Sequence, residues 1–326
     1  MKVYIYPTYT PSRDKSGNRY IQFFHEAFNK DCNWSVVNRF WKIGISSLLF
    51  NFDADIFIIQ WVDLIPFKRL GKIQFVLFLF VIKLLQLFKK KRIVWVLHNK
   101  HAHNRKSKLV DFGMDFIAKH ANCVVTHSGE GVTFFDERYP QYKGKCHYLP
   151  HPVYTTEIYD SERTQWDYVV WGNISRRKRV AEFLKYAKNS CFFNGKKILV
   201  CGNCSDKTYD QEIREIIWND VTYMGRFVDD DELRDLIKKS GCILFTYNTD
   251  SLLSSGALIY SLNFCKPIIG PNSGNFKDLK GLVSCYDSFR DIPNLSISDN
   301  RSLIIDYIKN NTWDLFPNKI LNVLTN

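Results

Sequence analysis

The stretch that decides the fold class runs from Val94 to His103 and reads VWVLHNKHAH. Its first four residues are apolar and predict a short strand that is buried in a parallel sheet. Ligands of open α/β sheets bind beyond the carboxyl ends of the strands, so the polar side chains that follow are candidate site residues. A lone histidine there is also explained as a satisfied core imidazole, but three within six positions favour an active-site edge. The candidates are His98, Asn99, His101 and His103.

Strands and helices alternate twice along the 326 residues, with a polar, turn-rich stretch between Pro150 and Trp166 separating the two series. This rhythm predicts parallel sheets joined by right-handed crossovers, and the length favours two domains. We therefore expect an α/β protein of two Rossmann-like domains that face each other across a cleft: residues 1–155, residues 165–300, and a C-terminal helical segment, residues 301–326, that can pack back on the first domain. The predicted strands are Val3–Tyr6, Asp55–Trp61, Val94–Leu97, Cys123–Thr126, Asp167–Trp171, Lys197–Cys201, Thr222–Met224, Cys242–Thr246 and Pro267–Ile269.

The composition points to an anionic partner. Forty-five Lys and Arg against 33 Asp and Glu leave a formal charge of +12, which suits nucleic acid, an acidic membrane surface or phosphorylated substrates. No nucleic-acid module or regular aromatic–basic interleaving is found, so nucleic acid is not an expected partner. The nine cysteines are odd in number and scattered, and the first residues lack a charged leader before a long apolar run. Both observations predict reduced thiols and a cytoplasmic protein.

The segment from Ile73 to Phe88 is unusually apolar and is followed by four cations at residues 89–92. A membrane-spanning helix needs about 20 apolar residues, and Lys83 and Gln86 interrupt this run, so spanning is the least favoured interpretation. Two others stay open: a helix that lies in the lipid interface with its cations against acidic headgroups, and a helix buried against the first sheet. The interfacial helix predicts peripheral attachment to the inner face of the cell membrane.

In the second half, Trp171 ends a predicted strand and four consecutive cations follow at residues 176–179. A glycine directly after the strand lets the backbone approach a ligand closely, and Arg and Lys side chains bind phosphate oxygens. A solvated basic turn is the alternative, and neither GxGxxG nor GxxxxGK[ST] occurs here. The predicted donor-site residues of this loop are Gly172, Asn173, Arg177 and Lys178.

A second predicted anion site opens the helix that follows Asp250. Ser254, Ser255 and Gly256 precede the apolar run Leu258 to Phe264, and the free N–H groups and dipole at such a helix start attract anions. An ordinary N-cap also explains a serine at this place. A cationic loop and a small-residue helix start, each after a strand of the same domain, together predict a shared diphosphate site.

Two patterns resemble metal sites but are interpreted otherwise. The triplet Asp229–Asp231 precedes the predicted helix Leu233–Lys239, where acidic residues complement the helix start. Cys201 and Cys204 form a CxxC, but no second pair and no nearby histidine complete a zinc set. We expect no metal at either place and no cofactor.

With these pieces placed, the chain resembles the GT-B-type glycosyltransferases, in particular the nucleotide-sugar-dependent, polysaccharide-building enzymes of the family 4 kind. The resemblance covers most of residues 55–285. It rests on the order of ADIFIIQW (54–61), VWVLHN (94–99), VVTHS (124–128), LPHPVY (149–154), VVWGNISRRKRV (169–180), YMGRFVDDDELRDLIKKSGCILF (223–245) and SSGALIYSLNFCKPIIGP (254–271).

The resemblance implies a first domain that receives the acceptor, a second domain that binds the nucleotide sugar, and metal-independent transfer in which protein cations stabilise the departing diphosphate. Lys178 matches the cation that contacts the diphosphate, Ser255 and Gly256 match the phosphate-facing helix start, and His98 and His103 match the histidines on the acceptor side. Asn99, His101 and Ser128 are the other acceptor-side predictions.

One departure from the family pattern concerns the sugar. Retaining members often carry two glutamates eight positions apart, and the corresponding positions here are Leu252 and Tyr260. The stereochemical outcome of the reaction therefore stays open. Many members also carry an arginine where this chain has Asn173.

The sequence thus predicts a cytoplasmic, membrane-associated glycosyltransferase that moves a sugar from a nucleotide donor to a hydroxyl of a glycan or lipid-linked saccharide, with His98 as the first candidate for the base. A nucleotide-sugar epimerase or hydrolase of the same fold is a second hypothesis. The third is a catalytically silent glycosyltransferase-like subunit that binds a membrane or a partner enzyme, which the missing glutamate pair favours.

Overall fold

The protein is represented by a computed structural model that describes residues 1–9, 19–38, 44–88, 91–101, 107–296 and 300–325. The chain forms two compact units. Unit 1 comprises Met1–Tyr154 together with Asn311–Asn326, and unit 2 comprises Thr155–Asn310. The C-terminal segment predicted as residues 301–326 is therefore divided, because its first helix belongs to unit 2 and only the remainder returns to unit 1.

Unit 1 is built on a sheet of six parallel strands in the described part of the chain, in the order β2-β1-β3-β4-β5-β6. The four predicted strands of this half correspond to β1, β3, β4 and β5. With two and three residues, β2 and β6 carry too short an apolar pattern to be predicted. The elements are β1 Lys2–Tyr6, α1 Arg19–Lys30, β2 Ser35–Val36, β3 Ile56–Gln60, α2 Gly71–Gln86, β4 Arg92–Leu97, α3 Lys108–His120, β5 Cys123–Thr126, α4 Gly129–Arg138, β6 Cys146–Tyr148 and α11 Phe316–Thr325.

One face of the unit 1 sheet is covered by α1 and α11. Phe24 and Phe28 of α1 stack with their ring centroids 5.0 Å apart, and Phe24 meets Phe316 of α11 edge-on at 5.5 Å. These rings pack on alternate side chains of the central strands, which are buried on both faces and are therefore largely apolar. The returning C-terminal segment thus completes the core of unit 1.

The apolar segment of the sequence forms α2, which is buried on one face only. Phe75, Phe78 and Val81 point inward, whereas Ile73, Val76, Phe80 and other apolar side chains on the opposite face are exposed. The helix is therefore buried on one face, while its other face stays exposed. No helix of the described residues is both long and apolar enough to cross a bilayer.

Unit 2 repeats the architecture with a second sheet of six parallel strands in the described residues, ordered β12-β11-β10-β7-β8-β9. The five predicted strands of this half correspond to β7 to β11. Because all strands run the same way, their carboxyl ends share one edge. The elements are β7 Trp166–Trp171, α5 Val180–Lys188, β8 Ile198–Cys201, α6 Lys207–Ile216, β9 Val221–Met224, α7 Asp230–Lys238, β10 Ser240–Leu244, α8 Gly256–Leu262, β11 Ile268–Pro271, α9 Gly274–Asp278, β12 Ser284–Tyr286 and α10 Arg301–Asn310.

Candidate functional site

The carboxyl edge of the unit 1 sheet holds the predicted catalytic residue His98. It is the first residue beyond β4, and its Nε2 donates a hydrogen bond to Gln60 Oε1 at 2.9 Å. Its ring stacks on the indole of Trp61, with centroids 4.1 Å apart and planes 6° apart. Since Gln60 ends the neighbouring strand β3, two adjacent strand ends fix the imidazole. With the proton on Nε2, Nδ1 keeps a lone pair that can accept a proton.

Two further histidines lie beside His98. The centroids of His98 and His127 are 6.0 Å apart, and those of His127 and His151 are 4.9 Å apart. Tyr20 of α1 packs edge-on against all three rings and donates its hydroxyl proton to His127 Nε2 at 2.7 Å. We call these four residues the imidazole cluster.

Backbone carbonyls fix the other ring nitrogens of the cluster. His127 Nδ1 donates to the carbonyl of Leu149 at 2.8 Å, and His151 Nδ1 donates to that of Pro152 at 2.8 Å. Burial lowers the pKa of His127 to about 4 and the pKa of His151 to about 3. Burial also lowers the pKa of His98, and the neighbouring His127 and His151 add to that shift. All three imidazoles are therefore neutral near pH 7, which is the state that a general base needs.

The remaining acceptor-side predictions have different surroundings. Asn99 is buried and donates from Nδ2 to Asp63 Oδ2 at 3.2 Å. His101 is exposed, with its ring edge-on to Phe134 at 5.8 Å. Ser128 is fully buried and caps α4 by accepting from Gly131 N at 3.0 Å, and this ordinary capping role explains the serine. His103 lies outside the described residues.

The carboxyl edge of the unit 2 sheet holds Lys178, which is 8% exposed. Its Nζ lies 3.5 Å from the carbonyl of Trp171 and 4.8 Å from the ring centre of Tyr247. No carboxylate of the described residues forms an ion pair with this ammonium group. A buried charge without a counter-ion is costly, so Lys178 is suited to meeting an anionic ligand.

Gly172 makes room for this lysine. Its φ of 96° is a conformation that side chains rarely adopt, and a Cβ at this position would lie 2.9 Å from Lys178 Nζ. Asn173, the next residue, is exposed at the same edge. The glycine predicted from its place after the strand is therefore required by both backbone conformation and space.

The other cations of the 176–179 run have their own partners. Arg176 pairs with Asp206 at 3.3 Å and with Glu212 at 3.0 Å. Arg179 lies over the ring of Phe289, 4.9 Å from its centre. Arg177 is partly buried, and its carbonyl accepts from Asn248 N at 2.8 Å. Arg176 and Arg179, which are not among the predicted donor-site residues, are therefore engaged elsewhere.

The start of α8 lies close to Lys178. Ser255 caps this helix by accepting from Leu258 N at 3.2 Å, and its Oγ is 3.5 Å from the hydroxyl of Tyr247, the ring beneath Lys178. Gly256 is the first residue of the helix. The structure thus brings Lys178 and Ser255 to one tyrosine, with Gly172 beside the lysine and Gly256 directly after the serine.

Two buried polar atoms beside this helix start have no hydrogen-bond partner among the described residues. They are Ser254 Oγ and Asn275 Nδ2. The Oδ1 of Asn275 accepts from Ser255 N at 3.0 Å, so the side chain is held in place at the helix start. Unpaired buried donors cost about 1–3 kcal/mol each, and a ligand with acceptor oxygens would remove that cost.

Buried residues without a carboxylate occupy the two positions where the family pattern has glutamates. Leu252 and Tyr260 are both buried, and the ring of Tyr260 lies edge-on to Trp171 at 5.6 Å. Neither residue can supply a carboxylate to a bound sugar.

The two patterns that resemble metal sites have different surroundings in the structure. Asp229 caps α7 by accepting from Asp231 N at 3.1 Å and Glu232 N at 2.9 Å, as its place before the helix predicts. All nine cysteines are free thiols. In the part of the chain that the structure describes, no group of three His, Cys, Asp or Glu is arranged to hold a metal ion.

Several residues of the two edges are not among the sequence predictions. His127 directly follows β5 and carries the same strand-end signal as His98, so that signal could have identified it. Tyr20, Gln60 and Trp61 have no such signal, because an aromatic residue or an amide in an apolar segment is typical of a core. Tyr247 also could not be predicted, because its position depends on the contact between the loops that follow β7 and β10.

Comparison with known proteins gives matches in structure but not in sequence. No family model matches the sequence, and no curated protein matches it. Among solved structures, sucrose-phosphate synthase from Thermosynechococcus elongatus matches with a TM-score of 0.69 at 12% identity, over 99% of this chain and 98% of that chain. Anabaena HepE, in complex with UDP and glucose, matches with a TM-score of 0.66 at 10% identity, over 99% of each chain.

A third structure is a UDP-forming α,α-trehalose-phosphate synthase from Burkholderia vietnamiensis, with a TM-score of 0.58 at 12% identity over 82% of this chain and 72% of that chain. These three proteins are glycosyltransferases of GT-B type. At such low identity the likeness establishes the fold, and it confirms the predicted α/β fold class of two Rossmann-like units. The chain therefore has the GT-B fold that these sugar-transferring enzymes share.

Proposed function

We propose that this protein is a glycosyltransferase that moves a sugar from a nucleotide-sugar donor to a hydroxyl group of a glycan or lipid-linked saccharide. The observation that carries the proposal is Lys178, a buried ammonium group without a carboxylate partner among the described residues. It stands over Tyr247 and next to Gly172, at the sheet edge where ligands of α/β folds bind. A diphosphate supplies the counter-charge that the lysine lacks.

In the proposed reaction, the bond between the sugar C1 and the diphosphate oxygen breaks, and a bond between C1 and the acceptor oxygen forms. The electron pair of the broken bond leaves with the nucleoside diphosphate, whose growing negative charge is stabilised by Lys178. The proton of the acceptor hydroxyl passes to Nδ1 of His98, which holds a lone pair while Nε2 is bound to Gln60. Unit 2 therefore supports departure of the leaving group, and unit 1 supplies the base.

We also propose that the reaction needs no metal ion, because a protein cation is already placed for the leaving group. Lys178 supplies one positive charge, and Ser254 Oγ and Asn275 Nδ2 offer unpaired donors nearby. Transfer activity measured after treatment with EDTA tests this point. Undiminished turnover supports it, and loss that Mg²⁺ or Mn²⁺ restores contradicts it.

Nucleotide binding tests the donor site. Titration calorimetry with UDP, and then with the other nucleoside diphosphates, is compared between the wild-type protein and Lys178→Ala. A charge-assisted hydrogen bond is worth about 1.5–3 kcal/mol, so affinity should fall about 10- to 100-fold. Arg176→Ala is the matched control, since this cation of the same loop is paired with Asp206 and Glu212. Equal affinity of Lys178→Ala and wild type would remove the phosphate assignment.

Release of nucleoside diphosphate from sugar nucleotides, with and without saccharide acceptors, tests the transfer itself. Acceptor-dependent release identifies a transferase, and release to water identifies a hydrolase. Tight nucleotide binding without any release indicates the silent subunit, which Leu252 and Tyr260 favour because they replace a carboxylate pair by apolar contacts.

The finer part of the proposal concerns the membrane, and the α2 face carries it. We define the α2 face as Leu70, Ile73, Val76, Phe80 and Leu87, which are 60–76% exposed. From Ile73 onward they repeat at helical spacing, on the side opposite the buried face. Soluble monomers rarely expose so large a contiguous apolar patch, and such patches mark protein or membrane contacts.

The charge around the α2 face favours an acidic lipid surface as its occupant. The exposed cations Arg69, Lys72 and Lys83 flank or interrupt the apolar stripe. Apolar side chains with interspersed lysine and arginine are typical of helices that lie in the interface of anionic bilayers. We therefore propose peripheral attachment through α2, which suits an acceptor that is anchored in lipid.

Sedimentation with vesicles tests this attachment. Wild-type protein should bind vesicles of phosphatidylcholine mixed with phosphatidylglycerol better than pure phosphatidylcholine vesicles, and high salt should weaken the binding. Replacing Ile73 and Phe80 by serine removes two apolar side chains worth about 1.5–3 kcal/mol each when buried, so binding should fall by more than about 10-fold. Leu303→Ser, at an exposed leucine of unit 2, is the control. Equal vesicle binding by all three proteins would contradict the proposal.

A further inference from the structure

We propose that Trp61 and Asp63 are positioning residues that hold the His98 imidazole in one orientation, in which its bond to Gln60 selects one tautomer. This inference rests on the proposed function, in which His98 is the base. The contacts involved join residues 60–63, at the end of β3, to residues 98–99, at the end of β4. We call this arrangement the strand-end clasp.

The first two contacts of the clasp act on the imidazole ring itself. Gln60 Oε1 accepts from His98 Nε2 at 2.9 Å, which places the proton on that nitrogen. The indole of Trp61 covers one face of the ring at 4.1 Å with nearly parallel planes. One contact therefore sets the tautomer, and the other limits rotation of the ring out of its plane.

The backbone at Trp61 is held in an unfavourable conformation. Its φ of 49° and ψ of 45° lie in the left-handed region, which bulky side chains rarely adopt. Such a conformation persists only where the surrounding contacts determine it, and it occurs preferentially at functional sites. A tight turn begins here, since Leu64 N donates to the carbonyl of Trp61 at 3.0 Å. The turn, Val62–Phe67, therefore directs the indole towards His98.

Asp63 ties this turn to β4. Its carboxylate accepts from Asn99 Nδ2 at 3.2 Å, and both residues are buried. Asn99 directly follows His98, so the bond joins the turn that carries Trp61 to the residue beside the imidazole. Burial raises the pKa of Asp63, while the bond from Asn99 lowers it. Burying a carboxyl group costs free energy. The burial of Asp63 therefore supports a role in holding the turn to β4.

The other groups that face His98 do not replace the clasp. Tyr20 and His127 pack on it edge-on or tilted at 5.0 and 6.0 Å, and the hydroxyl of Tyr20 is committed to His127. His151 packs on His127, with ring centroids 4.9 Å apart. The orientation of His98 about its stacked face therefore depends on residues 60–63.

Nitrogen-15 NMR of the histidine rings in the resting protein is the primary test, because it reports tautomer and pKa without any substrate. In the wild-type protein the His98 ring should carry its proton on Nε2 and titrate below 6.5. Trp61→Gly removes the indole but keeps a residue that readily adopts positive φ, and Asp63→Ala removes the bond to Asn99. Each variant should give a mixture of tautomers and a pKa closer to 6.5.

Kinetics and rescue complete the test. Both variants should lower kcat about 10- to 100-fold, because a displaced catalytic group loses its alignment, while KM for the donor changes less than about 3-fold. Asp63→Asn keeps an oxygen that can accept from Asn99 and should restore both the NMR signature and kcat. Asp115→Ala, which removes the carboxylate bonded to Tyr139 elsewhere in unit 1, is the control for general loosening.

The outcomes separate this inference from the proposed function. If the tautomer and pKa of His98 are the same in wild type, Trp61→Gly and Asp63→Ala, the clasp has no positioning role, whether or not sugar transfer occurs. If the NMR signature shifts as expected but wild-type protein transfers no sugar, the clasp stands and the proposed function fails. Should Asp63→Ala not fold, Trp61→Gly and Asn99→Ala decide the same question from the other two positions.

Discussion

Both units contain a sheet of six parallel strands, in different strand orders, and the carboxyl edges of the two sheets carry different chemical groups. All eight histidines of the chain lie in unit 1, and none lies in unit 2. The unit 1 edge places three neutral imidazoles among aromatic rings. The unit 2 edge places one buried ammonium group beside a glycine and unpaired polar atoms. One edge is suited to taking a proton and the other to holding an anion.

The contrast shows that the fold fixes where a ligand binds but not which ligand. Parallel strands bring their following loops to one edge in both units, and the identity of the residue after each strand then decides the chemistry. After β4 that residue is His98, and after β7 it is Gly172, which gives space to Lys178. In the proposed function, the two roles are therefore divided between two parallel α/β sheets.

The largest effect is expected when the proposed base at the unit 1 edge, His98, is replaced. His98→Ala should lower kcat by about 10²–10⁴-fold, the usual contribution of a general base, and should leave nucleotide affinity unchanged because the proposed donor site is in unit 2. Steady-state kinetics and calorimetry measure the two quantities. His147→Ala, in β6, is the histidine control. Turnover of His98→Ala within a few-fold of wild type would assign the base elsewhere.

Lowering the pH should destabilise unit 1 more than unit 2. Free imidazoles of an unfolded chain titrate near 6.5, whereas the pKa values of buried His127 and His151 are about 4 and about 3. Between these values the unfolded chain binds more protons, so stability is intact above about pH 6.5 and falls as the pH drops towards 4. The loss for unit 1 is about 3 kcal/mol or more for each histidine.

Hydrogen exchange followed from pH 7 to pH 4.5 checks this difference unit by unit. After correction for the intrinsic exchange rates, the free energy of opening should decline in unit 1, with its imidazole cluster, and much less in unit 2, which has no histidine. Replacing His127 and His151 by glutamine removes the titrating groups and should flatten the unit 1 profile. Equal decline in both units would show that the buried imidazoles do not govern acid stability.

A smaller effect is expected at the glycine of the unit 2 edge. Gly172→Ala adds a Cβ that would lie 2.9 Å from Lys178 Nζ, so the ammonium group must move and nucleoside diphosphate affinity should fall about 10-fold. Gly195→Ala is a matched control, since Gly195 also has a positive φ, of 70°, but a Cβ there meets no atom within 4 Å. Calorimetry that finds the same affinity loss in both variants would attribute the effect to backbone strain alone.

The sequence is sufficient to predict the strands that place these edges, because both faces of such strands are buried and their apolar runs are unmistakable. It also selects His98, Gly172 and Lys178 as candidates, since each follows a strand directly or within a few residues, and the structure places them at those edges. It does not show that Arg176 and Arg179 turn away, because the direction of a side chain in a tight turn depends on its tertiary partners. Those partners, Asp206, Glu212 and Phe289, are distant in sequence.

The clasp and the α2 face illustrate the same limit. Nothing in the local sequence of Trp61 indicates a left-handed backbone, which arises from the turn and from packing on His98. The apolar segment that forms α2 predicts a helix, but whether one face stays exposed depends on which neighbours cover it. Short-range sequence patterns therefore select candidate segments. Long-range packing decides which side chains of those segments are exposed to a ligand or a partner.

The smallest expected effect compares two helix-capping serines, one in each unit. Ser128 and Ser255 both accept from a backbone N–H at their helix start, so replacing either by alanine should cost about 1 kcal/mol in stability. Ser255→Ala should also weaken nucleotide binding a few-fold, because its hydroxyl contacts Tyr247 beneath Lys178. Ser128 is fully buried, so Ser128→Ala should act on stability alone. Thermal unfolding and calorimetry measure the pair, and a tenfold rise of the acceptor KM in Ser128→Ala would restore the acceptor-side role that the sequence predicts for this serine.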